Sequence, residues 1–291
     1  MVTRPLQPIP LEIIDEAVLA ALDEDGAFHD ITTSALVRPD EWGRGVFVAK
    51  QAGVIAGLPV AAAAMAAIDG GMGFDALVED GARVSEGAVL AEVEGRLSAI
   101  LSCERVALNF LQRVSGIATL TRDFVDAVSG TNARILDTRK TTPGLRMFER
   151  YAVRAGGGQN HRFGLSDGVL IKDNHIAAAR HRGAMQLAQI IAEARAGAPH
   201  TLRIEIEVTN LDEVQEAIDG RADVILLDNM SAGDIRRSVE IIAGRAIVEA
   251  SGGVTLENVK AIAEAGVDYI SVGRLTHSAP ALDISLDVQG V

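Results

Sequence analysis

The chain of 291 residues carries a formal net charge of −13, and 48% of its residues are hydrophobic. That length and apolar content suit one large α/β domain or two smaller ones with ample core. The acidic balance argues against non-specific binding of nucleic acid or of an anionic membrane, both of which need a basic face, and so favours a small-molecule ligand.

Residues 1–26 hold prolines and then an acidic amphipathic segment, unlike the basic and apolar zones of a signal peptide, so a cytoplasmic location is expected. The alanine-rich run 61–67 is bracketed by Pro59 and Asp69 and is too short to span a bilayer. From 30 to 97, apolar positions alternate between glycine turns, as in GRGVFVAKQAGVIAGLPV and DGARVSEGAVLAEVEG. This pattern predicts short antiparallel strands with the alanine run as one packed helix. The second stretch also looks like half of a lipoyl- or biotinyl-carrier barrel, yet it contains no lysine to modify. Between 101 and 128, Val106, Phe110, Leu111, Val114, Ile117, Leu120, Phe124 and Val128 form the stripe of a long amphipathic helix, with Ser102 as its N-cap. Arg105, Asn109, Gln112 and Arg113 fall off that stripe, as a solvated face would. Cys103, the only cysteine, cannot form an internal disulfide and reads as a core residue.

After 130 the pattern changes to strand and helix in alternation. Strands are expected at 133–137, 168–172, 203–208, 223–228, 245–249 and 267–272, with helical stretches between them. Repeated βα units of this length build a parallel sheet. Polar residues stand at the end of almost every strand, which favours a β/α barrel whose strand ends share one mouth. Six strands are fewer than eight, so the barrel is expected to be short of the full count or incompletely closed. The expected architecture is therefore α/β: a smaller N-terminal sandwich-like α/β domain over 1–115 and a parallel β/α barrel over 116–274, leaving the tail 275–291 free to pack on the former.

The mouth would gather charge. DTRKTTPGLR sets Arg139 and Lys140 directly after a strand, a planar fork suited to carboxylate beside a point charge suited to phosphate, and has Pro143 opening the next helix. Surface solubility is the plain alternative. Gly156–Gly158 precede Asn160, His161 and Arg162 and allow either a tight binding loop or a flexible connector. Lys172, ending an apolar run, requires an anionic partner: a ligand, Glu205 or Glu207. Glu207 and Asp228 end neighbouring strands, where two carboxylates can bind Mg²⁺, hold sugar hydroxyls, stabilise a developing cation or pair with Lys140 or Lys172. Ser251, Gly252 and Gly253 before a helix, faced by Gly273, favour a phosphate. No metal-ligand spacing surrounds His161, and His175 and His277 read as local hydrogen-bonders.

Taken in order, DITT, LSCERVALNFLQRVSGIAT, DTRKTTPGLR, YAVRAGGGQNHRFGLSDGVLIKDNH, EIEV, ILLDN, SGG and LTHSAPALDISL resemble the motifs of the quinolinate phosphoribosyltransferase family over nearly the whole chain. The resemblance implies transfer of phosphoribose from 5-phosphoribosyl 1-pyrophosphate to quinolinate, giving nicotinate mononucleotide, pyrophosphate and CO₂ in NAD biosynthesis, with Mg²⁺ as cofactor. It implies a homodimer or higher oligomer in which Arg105 enters the neighbouring subunit's site. The quinolinate pocket then maps to that Arg105, Thr138, Arg139, His161, Arg162 and Lys172. The phosphoribosyl side maps to Lys140, Glu207 and Asp228, with Ser251, Gly252, Gly253, Val272, Gly273 and Arg274 around the 5′-phosphate. Lys140, Lys172, Glu207 and Asp228 would carry the catalysis, and Glu207 and Asp228 would hold the metal, partly through substrate or water. Ala250, where many members have serine, and Arg274, where a small residue is common, depart from the pattern beside the phosphate. Two alternatives are a paralogue of the same fold associated with molybdate transport genes, which loss of the arginine clamp would favour, and an inactive binding protein.

Overall fold

A computed structural model describes residues 6–183 and 185–290. In chain order come α1 (Leu11–Asp25), α2 (Ile31–Leu36), β1 (Trp42–Ala49), β2 (Gly53–Val54), α3 (Leu58–Ile68), β3 (Gly73–Ala76), β4 (Arg83–Val84), β5 (Val89–Arg96) and α4 (Leu97–Ala127). Then follow β6 (Arg134–Leu136), α5 (Arg146–Ala155), β7 (Val169–Ile171), α6 (Asp173–His181), α7 (Leu187–Gly197), β8 (Ile204–Val208), α8 (Leu211–Asp219) and β9 (Val224–Asp228). The last are α9 (Ala232–Ile242), β10 (Ile247–Ser251), α10 (Val259–Glu264), β11 (Tyr269–Ser271), α11 (Arg274–His277) and β12 (Ile284–Gly290). Two compact units divide the chain. One holds the residues up to Arg122, Thr141–Gly157 and those from Arg274 on; the other holds Asp123–Lys140 and Gly158–Gly273.

The first unit contains an antiparallel sheet in the order β12-β1-β5-β3. Its central strand β1 buries alternate positions, Gly43, Gly45, Phe47 and Ala49, as a sheet with one covered face requires. Gly45 has to be glycine because a Cβ there would stand 2.8 Å from both Leu286 and Val93 on the flanking strands. Helix α1 turns Ile14, Val18 and Leu22 inward at four-residue spacing and lies against α3. Asp80 accepts the backbone N–H groups of Gly57 and Leu58 at the start of α3, at 2.8 and 3.1 Å, and the Tyr151 hydroxyl at 2.5 Å.

Helix α4 departs from the sequence expectation at its start. It begins at Leu97, so Ser102 is an interior residue whose hydroxyl reaches Asp30 rather than an N-cap. Cys103 is buried and reduced, as expected of a core residue. The polar face divides in two. Arg105 and Asn109 are exposed, but Gln112 donates to the Ile284 carbonyl at 2.7 Å. Arg113 donates to the Ala279 and Thr276 carbonyls and to Glu149. Glu149 is fully buried and also accepts the Thr142 N–H and hydroxyl, at 3.1 and 2.8 Å. Off-stripe residues here tie down distant backbone, a task invisible to helical periodicity.

The second unit is a wholly parallel sheet in the order β6-β11-β10-β9-β8-β7. Six strands and no ladder between β6 and β7 among the described residues make it a barrel of short count, incompletely closed. The strand positions match expectation closely except for β10, which runs to Ser251 instead of stopping at 249. Ile204, Ile206, Ile225, Leu227, Val248, Ala250 and Ile270 alternate along the strands as buried apolar residues. Carboxylates tie the starts of neighbouring strands: Asp223 accepts the Ile204 N–H at 2.7 Å and Asp268 the Val248 N–H at 2.9 Å. Pro143 lies in a turn and the helix after it starts only at Arg146. Among the described residues no helix is long and apolar enough to cross a membrane.

Glu149→Ala would leave the Arg113 guanidinium and the Thr142 N–H without their buried acceptor. Loss of about 3 kcal/mol is expected, near the lower range for breaking a buried pair because Arg113 keeps some solvent contact. Urea unfolding of the variant measures it.

Candidate active site

Parallel pairing fixes which side chains share a face. Glu207 stands opposite Leu226, which stands opposite Glu249, while Asp228 pairs with Ser251 and Leu170 with Glu205. Side chains two apart on a strand share a face, so Glu205, Glu207, Asp228, Glu249 and Ser251 all project to one side, opposite to the apolar set. EIEV therefore alternates charge inward with isoleucine and valine outward. Ala250 belongs to the outward set and is buried, so the missing hydroxyl at that position does not face the mouth.

Charges buried on that face are paired. Lys172 donates to Glu207 across 2.5 Å, so of the two glutamates left open for it Glu207 is the partner. Glu205 instead meets His161, whose Nε2 lies 3.3 Å from Glu205 and 3.7 Å from Glu249. The His161 Nδ1 accepts the Arg162 backbone N–H at 2.7 Å. Burial opposes a charge on His161, but the Glu205 hydrogen bond and the two carboxylate charges outweigh it and raise its pKa. Burial and the proximity of Glu205 push Glu249 up to about 7, partly countered by His161 and by a hydrogen bond from Ser271. One oxygen on each of Glu205 and Glu249 is buried with no hydrogen-bond partner.

A short segment occupies the gap beside β6. Gln159 donates its N–H to the Ile135 carbonyl at 2.8 Å and its carbonyl accepts from Asp137 N at 3.2 Å. The fully buried Asp137 then accepts the His161 N–H at 2.8 Å and the Asn160 side-chain amide at 2.6 Å. At its far side Arg162 donates to the Gly168 carbonyl, next to β7, at 2.8 Å. Arg139 lies close enough that, after burial, it is the next cause holding the Arg162 pKa below the usual guanidinium range. The carboxylates of Glu205 and Asp167 act on Arg162 in the opposite sense.

The remaining expected residues take less uniform positions. Thr138 accepts the Lys140 N–H, and Lys140 itself is exposed. Asp228 accepts from Asn229 at 2.6 Å. Gly252 and Gly253 have φ of 84° and 58°, and a Cβ on Gly252 would stand 2.4 Å from Asn229, so glycine is required in this turn. Helix α10, however, begins at Val259, beyond a further turn, so the Ser251–Gly253 turn does not lead straight into a helix as expected. Val272 is buried and donates its N–H to Leu136, leaving Gly273 as the accessible part of that strand end. His175 accepts the Lys172 N–H and His277 contacts Ser278, both local roles as expected. Arg105 and Arg274 belong to the first unit, both exposed.

Sequence reasoning placed Asp137, Glu205 and Glu249 among the polar residues of the strand mouth, but gave Asp137 and Glu249 no individual role and offered Glu205 one only as a partner for Lys172. The clue for the glutamates was spacing: each sits two positions before a named residue, Glu207 or Ser251, hence on the same face. His161, Glu205 and Glu249 offer ligand atoms within 4.8 Å of one another, a set assembled by the fold from residues far apart in sequence. Glu207 and Asp228 provide the hard oxygen donors that Mg²⁺ prefers, so the residues fit that ion, with Glu207 shared with Lys172.

The raised Glu249 pKa sets a sign for stability. In the unfolded chain the carboxyl ionises near 4.5, in the fold only near 7, so its contribution is present at low pH and lost as pH rises through 7. The raised His161 pKa acts in the same direction. Glu249→Gln should melt close to the native protein at pH 5 and gain relative to it by pH 8. Calorimetry across that range tests this, and a constant difference would contradict it.

The sequence matches the quinolinate phosphoribosyl transferase N-terminal domain over residues 30–115 and the C-terminal domain over residues 117–287. It is 46% identical over 241 residues to the probable nicotinate-nucleotide pyrophosphorylase (carboxylating) of Bacillus subtilis strain 168, covering 83% of this chain and 82% of that one. With quinolinate phosphoribosyltransferase (decarboxylating) 2b, mitochondrial, of Nicotiana tabacum the identity is 42% over 295 residues, covering 96% and 83%. The solved structure of NadC from Streptococcus pyogenes superposes with a TM-score of 0.92 at 41% identity, covering 98% of this chain and 99% of that one. Both domains, the parallel sheet and the order of motifs agree, and the chain belongs to the quinolinate phosphoribosyltransferase family.

Proposed function

We propose that this chain joins quinolinate to 5-phosphoribosyl 1-pyrophosphate, releasing pyrophosphate and CO₂ and forming nicotinate mononucleotide, with the second unit's mouth as the reaction site. One observation carries the residue assignment: Arg139 is near enough to Arg162 to help hold its pKa down, so two guanidiniums gather at one strand mouth in a protein of net charge −13. Two guanidiniums match the carboxylates of a pyridine diacid, with Thr138 and Lys172 beside them. His161 acts chiefly through its own carboxylate neighbours, since its Nε2 already faces Glu205 and Glu249.

The exposed Lys140 attracts the departing pyrophosphate. Carboxylates of Glu207 and Asp228 stabilise positive charge as it develops on the ribose, while the clamped pyridine presents its nitrogen to the anomeric carbon. Glu207 and Asp228 would hold Mg²⁺, and the bound ion would supply positive charge to offset that of the departing pyrophosphate. The Ser251–Gly253 turn and Val272–Gly273 after β11 hold the 5′-phosphate. Once the ring nitrogen is quaternary it draws electrons from C2, so that CO₂ leaves, the bonding pair stays on the ring carbon, and a proton replaces the carboxylate.

The site is completed in a homodimer by the partner's Arg105, a reading supported by the 57% exposure of that side chain on α4. A cytoplasmic setting belongs to the same proposal, in keeping with the reduced, buried thiol of Cys103.

Incubation with quinolinate, phosphoribosyl pyrophosphate and Mg²⁺ should yield nicotinate mononucleotide and CO₂, and chelation by EDTA should stop it. Arg139→Ala should raise the quinolinate KM by at least about tenfold with the fold intact, as expected for loss of a bidentate charged contact; unchanged kinetics would refute the clamp. For the shared site, Arg105→Ala and Lys172→Ala subunits, each inactive alone, should regain about a quarter of native activity when mixed and reassembled, because each mixed dimer holds one intact site. No recovery would mean that Arg105 serves its own subunit.

A further inference from the structure

The clamp residues Arg139 and Arg162, the latter beside His161, come from two segments of the chain joined here by a short backbone ladder. Where 158–162 runs beside β6, the ladder consists of Gln159 N–H to the Ile135 carbonyl and Asp137 N–H to the Gln159 carbonyl. β6 ends at Leu136. Adjacent residues in an extended segment face opposite ways, so a slip of one position would exchange the directions of His161 and Arg162. A ladder this short resists such a slip weakly.

We propose that Asp137 is a positioning residue that sets the register of the carboxylate clamp. Its side chain is fully buried, and each oxygen accepts from the neighbouring segment: Oδ1 the His161 N–H at 2.8 Å and Oδ2 the Asn160 amide at 2.6 Å. Two residues further along its own strand end stands Arg139. One carboxylate thus fixes both arms of the clamp against each other: the Arg139 arm by covalent continuity and the His161–Arg162 arm by two hydrogen bonds beyond the reach of the ladder. The acceptor geometry is specific. An amide in place of the carboxylate would still accept from His161 but would present a donor to the donor of Asn160. This inference rests on the reading of Arg139 and Arg162 as the quinolinate clamp, and it predicts an effect on quinolinate alone.

The test uses the full-length enzyme and the separate KM values for quinolinate and phosphoribosyl pyrophosphate. Asp137→Asn should raise the quinolinate KM about tenfold or more, as misplacement of a binding group by a fraction of an ångström does, with the KM for phosphoribosyl pyrophosphate within about twofold. Adding Asn160→Asp to that variant restores one donor facing one acceptor and should bring the quinolinate KM back toward native. If Asp137→Asn does not fold, Asn160→Ala and Asn160→Asp carry the test, each expected to raise the quinolinate KM selectively. Unchanged quinolinate KM, equal change in both constants, or a double variant no better than the single one overturns the proposal. Arg139→Ala measured alongside separates the two readings: if it leaves quinolinate binding intact the clamp itself is wrong, whereas if it weakens binding while the Asp137 and Asn160 variants do not, only the positioning role fails.

Discussion

A parallel sheet whose inward face carries charge can exist only if each charge meets a partner. Removing an ion from water costs several kcal/mol, and here Glu205, Glu207, Asp228 and Glu249 lie on one face of paired strands, with Lys172 just beyond β7. The structure meets that demand with one direct pair, Lys172 with Glu207, one group sharing a histidine, His161 with Glu205 and Glu249, and the Asn229 amide donating to Asp228. Residual strain is concentrated in the second group: two glutamates on one imidazole cannot both be ionised cheaply, so Glu249 is driven toward its neutral form. A well-packed apolar core would be more stable. Its absence at this end of the sheet marks the place where charge serves a ligand.

The incomplete barrel closure follows from the same demand. A continuous β6–β7 ladder would fill the rim with backbone hydrogen bonds and leave no room for side chains to converge there. The 158–162 segment instead joins β6 through Gln159 and Asp137 and approaches β7 through Arg162 and Gly168. The seam is held partly by side chains that also form the pocket. Closure and recognition are therefore one structural feature, and a change that loosens the seam alters the pocket.

Much of this was legible in the sequence, for local reasons. The strands of the second unit were visible because each alternates an apolar outer face with polar ends, and the six end positions identified the mouth. Lys172 was singled out because charge at the end of an apolar run is expensive unless used, Arg139, Glu207 and Asp228 by their places at strand ends, and His161 and Arg162 by the glycine loop before them and the family motif. What stayed hidden depends on registers between segments distant in sequence. Nothing near His161 announces Glu205 and Glu249, which reach it only because β8, β9 and β10 pair in the observed register. Arg113 looked solvated because periodicity describes one helix and not the chain that returns to cover it, and Ser102 looked like a cap because the sequence offers no other sign that α4 starts at Leu97.

The contrast between an acidic chain and a basic pocket follows from the range over which charge acts. At physiological ionic strength the screening length is about 8 Å, so a dianionic substrate in bulk solvent feels little of the net charge of the protein. In the proposed clamp, distances of a few ångströms and partial desolvation let Arg139, Arg162 and Lys172 dominate. The acidic residues inside that mouth are then a means of balance. They pair the lysine, orient the histidine and lower the cost of holding several cations together before any ligand arrives. A pocket of arginine and lysine alone would repel itself open; one lined beneath by glutamates can hold its shape and still present positive charge where a carboxylate enters.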